Sequence, residues 1–401
     1  MTLWTLAAAL AASALLLVAE LSCRWWIRTR SRYHVWPPRA RIEVRPDPEA
    51  FPTLERRVRF HINADGERGG DVASGEQGLY RVLAVGGSAV ECFALDQPLS
   101  WPSVLEHLLN APERLDTLGA RRVHVGNIGH SGVGSADLDL ILERVLPQYR
   151  HLDAIIVMVG ASDVYHWLEE GAPSSRPSAA VPEERLFSQH PQQRFGWRPG
   201  VWALVELARR LRRTWFRYTE VKERAGAWYV AARRMRVEAQ EVVTAMPDPT
   251  VVLNHFEFHF RHVISRAKAH ADHVLVALQP WLVGPYTAEE AAEFWHGGVG
   301  RPWKETVTVY YDLETVNRLL QLVQARAAKV ADALGVPHLN PLPLLNQRFH
   351  HFYDHDHYTP AGAAIVAQAI ASAFTGWPRS QPPREAAGIQ ATTRSLAGVP
   401  T

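Results

Sequence analysis

The chain has 401 residues, of which 47% are hydrophobic and 21% charged, an ordinary globular composition with enough apolar side chains for a sizeable core. The 43 Lys and Arg nearly balance the 41 Asp and Glu, leaving a net charge of +2. No global field therefore points to nucleic acid, and two cysteines, Cys23 and Cys92, argue against a disulfide framework.

Leu3 to Val18 is almost wholly apolar. With Ala19 to Leu21 it is about long enough to cross a bilayer, although Glu20 interrupts its last turn. A cleaved signal peptide needs a basic start and a small-residue cleavage site, and Met1-Thr2-Leu3-Trp4 carries no Lys or Arg. Leu21-Ser22-Cys23 hints at a lipoprotein site, but Glu20 stands where an apolar residue belongs. Residues 1–22 read as an uncleaved single-pass anchor, with Trp25 and Trp26 in the interface belt. Arg24, Arg28, Arg30 and Arg32 follow, and the positive-inside rule would put that side in the cytoplasm.

Residues 23–79 read as a linker and N-terminal extension with at most a short strand or two, because Trp36-Pro37-Pro38 and Arg45-Pro46-Asp47-Pro48 forbid long helices. From there to 377 apolar runs alternate with helical patterns. Strands are expected at Val82–Val85, Val123–Val125, Ile155–Val159, Val274–Leu278 and Val336–Leu339. Helices are expected at Pro102–Asn110, Ala136–Tyr149, Phe256–His270, Leu313–Leu334 and Ala361–Phe374. Ser135 is the candidate N-cap of the second helix, and Gly335 the stop signal of the fourth. Continuous apolar strands between helices predict an α/β, doubly wound parallel sheet with helices on both faces. A helical insertion is expected at about 171–250. Its first part is rich in Pro, Ser and Gln, and Trp202 to Val243 reads as one long or broken helical segment. Arginines and aromatics interleave along it, so it reads as a lid, a helix on an anionic membrane surface, or a plain solvated insertion. Residues 378–401 read as a disordered polar tail.

Four segments carry chemistry. The first apolar run ends Val85-Gly86-Gly87-Ser88, which puts a serine on a sharp strand-to-helix turn above the sheet edge. The second run leads into Asn127-Ile128-Gly129-His130-Ser131-Gly132, and the third into Gly160-Ala161-Ser162-Asp163. Near the C-terminus stands Asp354-His355-Asp356-His357. A carboxylate three residues before a histidine can hold the imidazole in the tautomer that accepts a proton from a nucleophile. Asp356 competes for that role, but an adjacent residue rarely folds back onto the ring, so Asp354 fits better. The cluster with His350 and His351 could suggest metal, yet nothing separates its ligands into a defined geometry. Cys92 reads as a small buried thiol rather than a nucleophile.

In this order the four segments resemble the SGNH/GDSL hydrolase superfamily over about Arg81 to Phe374. The resemblance implies a flavodoxin-like three-layer domain with Ser88 as nucleophile and Asp354 and His357 completing a triad. The oxyanion hole would use Ser88, Gly132 and the third segment. Two departures stand out: Gly87 replaces the acidic residue that often precedes the serine, and Ser162 replaces the asparagine whose amide donates to the oxyanion. Whether the Ser162 hydroxyl donates is left open. Asp163 is expected to shape its turn, and Asn127 and His130 to stabilise their loop. Trp281, Tyr286, Trp295 and Trp303 are candidates for stacking on sugar rings or for packing a long loop.

The implied function is a serine esterase that hydrolyses a small acyl ester, such as an O-acetyl group of a cell-envelope or exported polysaccharide, without metal or organic cofactor. The same triad would serve an O-acetyltransferase, and the Ser162 change would suit a non-catalytic glycan-binding domain. A lipid-directed esterase would use the basic aromatic segment. The expected partners are an acylated substrate and the membrane, with no nucleic acid. The resemblance implies a catalytic domain on the periplasmic or extracellular side, against the arginines.

Overall fold

The Ala- and Leu-rich N-terminal run, composed of strong helix formers, forms one helix, α1 (Leu3–Arg30). It continues eight residues past the expected anchor boundary. Its first 16 residues are exposed, whereas Glu20 and Ile27 are buried against the rest of the chain. The computed structural model describes residues 3–73, 75–175, 183–188, 202–216, 218–374 and 377, so the expected tail and most of 176–201 lie outside the described residues.

The stretch after α1 holds two short strands, within the strand or two expected of it. It supplies β1 (Arg41–Pro46) and β2 (Val58–His61), an antiparallel pair with Ile42 opposite Phe60 and Val44 opposite Val58. The central domain then follows the expected rhythm: β3 (Leu79–Gly86), α2 (Ser88–Glu91), α3 (Trp101–Leu109), β4 (Arg122–Asn127), α4 (Ser135–Val145), β5 (Leu152–Met158) and α5 (Ala161–Glu169). The inserted segment gives α6 (Ala203–Trp215), β6 (Thr219–Ala225) and α7 (Trp228–Val237). The domain closes with α8 (Thr250–His270), β7 (Ala271–Ala277), α9 (Leu313–Ala333), β8 (His338–Leu339) and α10 (Pro360–Ala373).

Five strands pair in the order β8-β7-β5-β3-β4, all parallel. Side chains alternate between two cores. Leu83, Val85, Ile155 and Val276 point towards α4, α5, α8 and α9. Val82, Ala84, Ile156 and Leu275 point towards α3 and α10. Both faces are covered, which is why the strands read as unbroken apolar runs. The first strand of the sheet, β3, sits between the second and the third. Chain winding reverses there, and the crevice beyond its carboxyl end is where ligands bind in such sheets.

The insertion departs from expectation. The expected long or broken helical segment across 202–243 is present as α6 and α7, but β6 lies between them, pairs in parallel with β1 and extends the sheet to β2-β1-β6. The open edge of β1 is a ready template, and Thr219 and Val221 are strand formers. Gly226, at φ +78°, then turns the chain into α7.

The tightest approach in the sheet is at Gly86, whose φ is +157°. A Cβ there would stand 1.8 Å from the Met158 carbonyl oxygen and 2.7 Å from Val90 Cγ2. Gly86→Ala is expected to destabilise the fold by at least ~2 kcal/mol, through backbone strain and overpacking. Denaturant unfolding measures this, and a midpoint equal to the parent's would contradict it.

Candidate active site

Ser88 opens α2 directly beyond β3. Gly87 precedes it in extended conformation, and Cys92, in the left-handed region at φ +51°, ends the helix after one turn. The serine therefore sits on the sharp turn expected for it, at the switch point of the sheet. Cys92 is buried and burial pushes its thiol up to about 11, which fits the reading of an inert thiol.

The loop after β4 is fastened to this turn from several sides. Asn127 donates from Nδ2 to the Val90 carbonyl at 2.8 Å and accepts from the Gly129 N–H at 2.8 Å. The His130 N–H donates to the Gly86 carbonyl at 3.2 Å. Glu91, buried one turn after Ser88, accepts from the Ser131 hydroxyl at 2.5 Å and from the Ser131 N–H. These bonds place Gly132, at φ +75°, on the wall of the cavity that Ser88 faces. Glu91 was not singled out from sequence, although its position three residues after Ser88 puts it on the adjoining helical face.

Ser162 stands in the first turn of α5 and lines the same cavity. Its Oγ lies 3.7 Å from where a Cβ on Gly87 would be. Asp163 turns away and accepts from the Ser135 N–H at 2.9 Å and the Ser135 hydroxyl at 2.5 Å. Burial raises its carboxyl to about 6. Gly134 takes the N-cap position of α4, and Ser135 is the first helical residue, because its hydroxyl is committed to Asp163.

Asp354 has no solvent exposure. Its Oδ1 accepts from the backbone N–H groups of Asp356 at 3.1 Å and His357 at 2.9 Å. Its Oδ2 accepts from His357 Nδ1 at 2.7 Å. Burial opposes the charge, but His357 and the backbone donors outweigh it and hold the carboxyl well below its usual range. Burial alone would lower the pKa of His357, yet the carboxylates of Asp354 and Asp356 raise it to about 9. Asp356 lies farther off, with Oδ1 at 3.4 Å from Nδ1. Its Oδ2 accepts from Gln279 at 3.3 Å, and burial raises its carboxyl. Asp354 is thus the residue bonded to the imidazole. His357 and Ser88 face one cavity of about 690 Å3. They are not hydrogen-bonded to each other, and such bonds commonly tighten only with substrate bound.

The neighbouring His355 serves the scaffold. The Tyr165 hydroxyl lies 3.1 Å from its Nδ1, and the Tyr286 hydroxyl lies 3.2 Å from its Nε2. Because Tyr286 donates its proton to the Leu282 carbonyl at 2.9 Å, His355 is the Nε2–H donor to Tyr286 and accepts from Tyr165. Burial pushes its pKa down to about 3, so the ring is neutral. Asp354, Asp356 and His357 bring donor atoms within 4.8 Å of one another, but Asp354 already spends its oxygens on His357 and the backbone.

Of the aromatic candidates, Trp295 and Trp303 line the cavity; Trp281 and Tyr286 do not. Trp281 is buried in the core with its indole N–H on Asn317 at 2.7 Å. The insertion adds Trp228 and Tyr229 to the cavity wall. Trp228 meets Trp295 edge-on at 4.8 Å and Trp303 at 5.7 Å, and Tyr229 meets Trp295 at 5.2 Å. A second cavity of about 350 Å3 shares His130, Ser131, Gly132, His166, Glu169 and Trp303 with the first. Burial pushes Glu169 up to about 8. His166 and Glu169 follow Ser162 at four and seven residues along α5, a helical stripe that sequence reasoning could have followed.

No protein-family model matches the chain, and no curated protein matches it. Among solved structures, the acetylxylan esterase Axe2 from Geobacillus stearothermophilus is similar over 75% of this chain and 97% of its own, with 14% identity and a TM-score of 0.41. LAE5, an α/β hydrolase from the metagenome of Lake Arreo, Spain, is similar over 74% of this chain and 96% of its own, with 12% identity and a TM-score of 0.42.

Proposed function

We propose that this protein is a membrane-anchored serine esterase of the SGNH/GDSL type. The observation that carries the reading is the buried Asp354–His357 pair opening onto the cavity that Ser88 faces from the end of β3. Ser88 Oγ attacks the acyl carbonyl while His357 Nε2 takes its proton, and Asp354 stabilises the imidazolium. The N–H groups of Ser88 and Gly132 and the Ser162 hydroxyl donate to the oxyanion. Collapse of the tetrahedral adduct expels the alcohol, protonated by His357, and leaves an acyl-serine. Water activated by His357 then releases the acid and restores Ser88.

The substrate we propose is an O-acylated saccharide chain, with the acyl group small. Trp228, Tyr229, Trp295 and Trp303 offer apolar faces to sugar C–H groups. The two adjoining cavities give room on both sides of Gly132 for residues of a chain. The anchor reading is supported by Glu20, whose carboxylate accepts from the N–H groups of Ala203 and Leu204 at 2.8 and 3.1 Å. Cleavage after α1 would remove a buried acceptor from the folded domain. We place the domain on the outer side of the membrane, where such polysaccharides lie.

A fluorophosphonate should label Ser88, located by mass spectrometry of the modified peptide. Ser88→Ala should bring p-nitrophenyl acetate hydrolysis to near background with the unfolding temperature unchanged. Retention of most activity in Ser88→Ala would remove the triad assignment.

Ser162→Ala should lower kcat at least about tenfold and change KM little. The hydroxyl acts on the oxyanion, and a water can partly replace it. An unchanged kcat would leave the oxyanion hole to the backbone N–H groups alone.

The charge of Asp356 should show in the pH profile. His357 works as a base only when neutral, and the two carboxylates raise its pKa to about 9. Asp356→Asn removes one of them, so the acid limb of kcat/KM should move to lower pH. A limb that stays put, or moves up, would show that Asp356 does not act on His357.

A further inference from the structure

Between β1 and the second half of α6, four arginines line one cavity. Arg41 of β1 and Arg209, Arg212 and Arg213 of α6 line a space of about 250 Å3. Glu220 is the one carboxylate among the described lining residues. Arg41, Arg212 and Arg213 make no ion pair among the described residues, and Arg209 lies 3.7 Å from its nearest carboxylate, Glu206. The Arg212 guanidinium is held 3.9 Å over the Tyr218 ring. Together they give the cavity a positive lining, and the planar guanidinium fork matches phosphate oxygens.

The position of the cavity selects the anion. Glu20 closes the apolar stretch of α1 and binds the first N–H groups of α6, so α6 starts where the apolar surface ends. α6 packs alongside the C-terminal part of α1, where Ile27 is buried. Trp202, Val205, Arg209, Arg212 and Phe216 recur at intervals of three and four residues on its exposed side. Trp25 and Trp26 are exposed on α1 beside it. Aromatics and arginines interleaved on one face, next to an apolar helix, suit the headgroup layer of a bilayer.

We infer that this cavity binds the phosphate of an anionic lipid headgroup in the leaflet where α1 emerges, an inference that rests on α1 being an uncleaved anchor. The site also sets the pose of the catalytic domain. β6 carries Glu220 at this cavity and Lys222 at the catalytic one, about 7 Å along the same strand. A lipid held by the arginines would fix the catalytic mouth relative to the membrane surface.

The test uses full-length protein in detergent micelles, titrated with phosphatidylglycerol, phosphatidylcholine or inorganic phosphate and followed by native mass spectrometry. Phosphatidylglycerol should be retained in preference to phosphatidylcholine. Arg41→Ala, Arg212→Ala and Arg213→Ala should each weaken that retention about fivefold, with unchanged unfolding temperature and unchanged p-nitrophenyl acetate hydrolysis. Equal retention of the two lipids, or retention indifferent to all three substitutions, overturns the site. Displacement of phosphatidylglycerol by millimolar inorganic phosphate would show a free-anion site and overturn the lipid assignment. Carbonate extraction and mass analysis of the N-terminus test the anchor separately. Protein released by carbonate, or beginning after Leu21, fails the anchor reading, whereas anchored protein without lipid preference fails the lipid site alone.

Discussion

A carboxylate removed from water stays ionised only if its neighbours supply what water would. Asp354 meets that condition with two backbone N–H groups from its own turn and the Nδ1–H of His357. The turn is shaped around this requirement. The Phe352–Tyr358 bridge closes it, and Tyr353 donates its N–H to the His357 carbonyl at 3.0 Å. The proton that Asp354 holds on Nδ1 leaves Nε2 as the basic nitrogen, so one buried charge sets the tautomer on which the proposed chemistry depends.

The second constraint is topological. Four segments, separated by dozens to hundreds of residues, must reach the same few ångströms. Because β3 lies between β4 and β5, the loops that leave all three strands open into one crevice. The C-terminal turn brings His357 to it and runs directly into α10, which packs against α3 on one face of the sheet. Gly86 lets the serine turn approach the end of β5 with no side chain between them. Glu91 and Asn127 then tie the second loop to the first.

The sheet and the segments of the site were readable because each carries a local signal: an unbroken apolar run, a glycine turn, a carboxylate three residues from a histidine. The pairing of β6 with β1 was not. Its partner lies far upstream, and a short, exposed, charged strand has no periodicity that separates it from an arginine-rich helix. The same holds for Trp228 and Tyr229 at the cavity, since an inserted segment declares its composition but not where it folds back. Trp281 shows the converse. In sequence it matched the cavity tryptophans, and only the Asn317 partner across the loop marks it as core.

Glu20 shows how a residue that looks wrong for one element can be right for another. A carboxylate near the end of a spanning helix weakens the reading of that helix when it is considered alone. In the fold it satisfies two N–H groups at the start of α6 that no residue within α6 can reach, and Arg24 pairs with it at 2.6 Å. Charge and burial at this one position therefore join the apolar helix to the insertion. The insertion in turn builds part of the wall of the cavity that Ser88 faces, through Lys222, Trp228 and Tyr229. The first helix, the insertion and the cavity are therefore joined by direct contacts, Glu20 to the start of α6 and the insertion to the cavity wall.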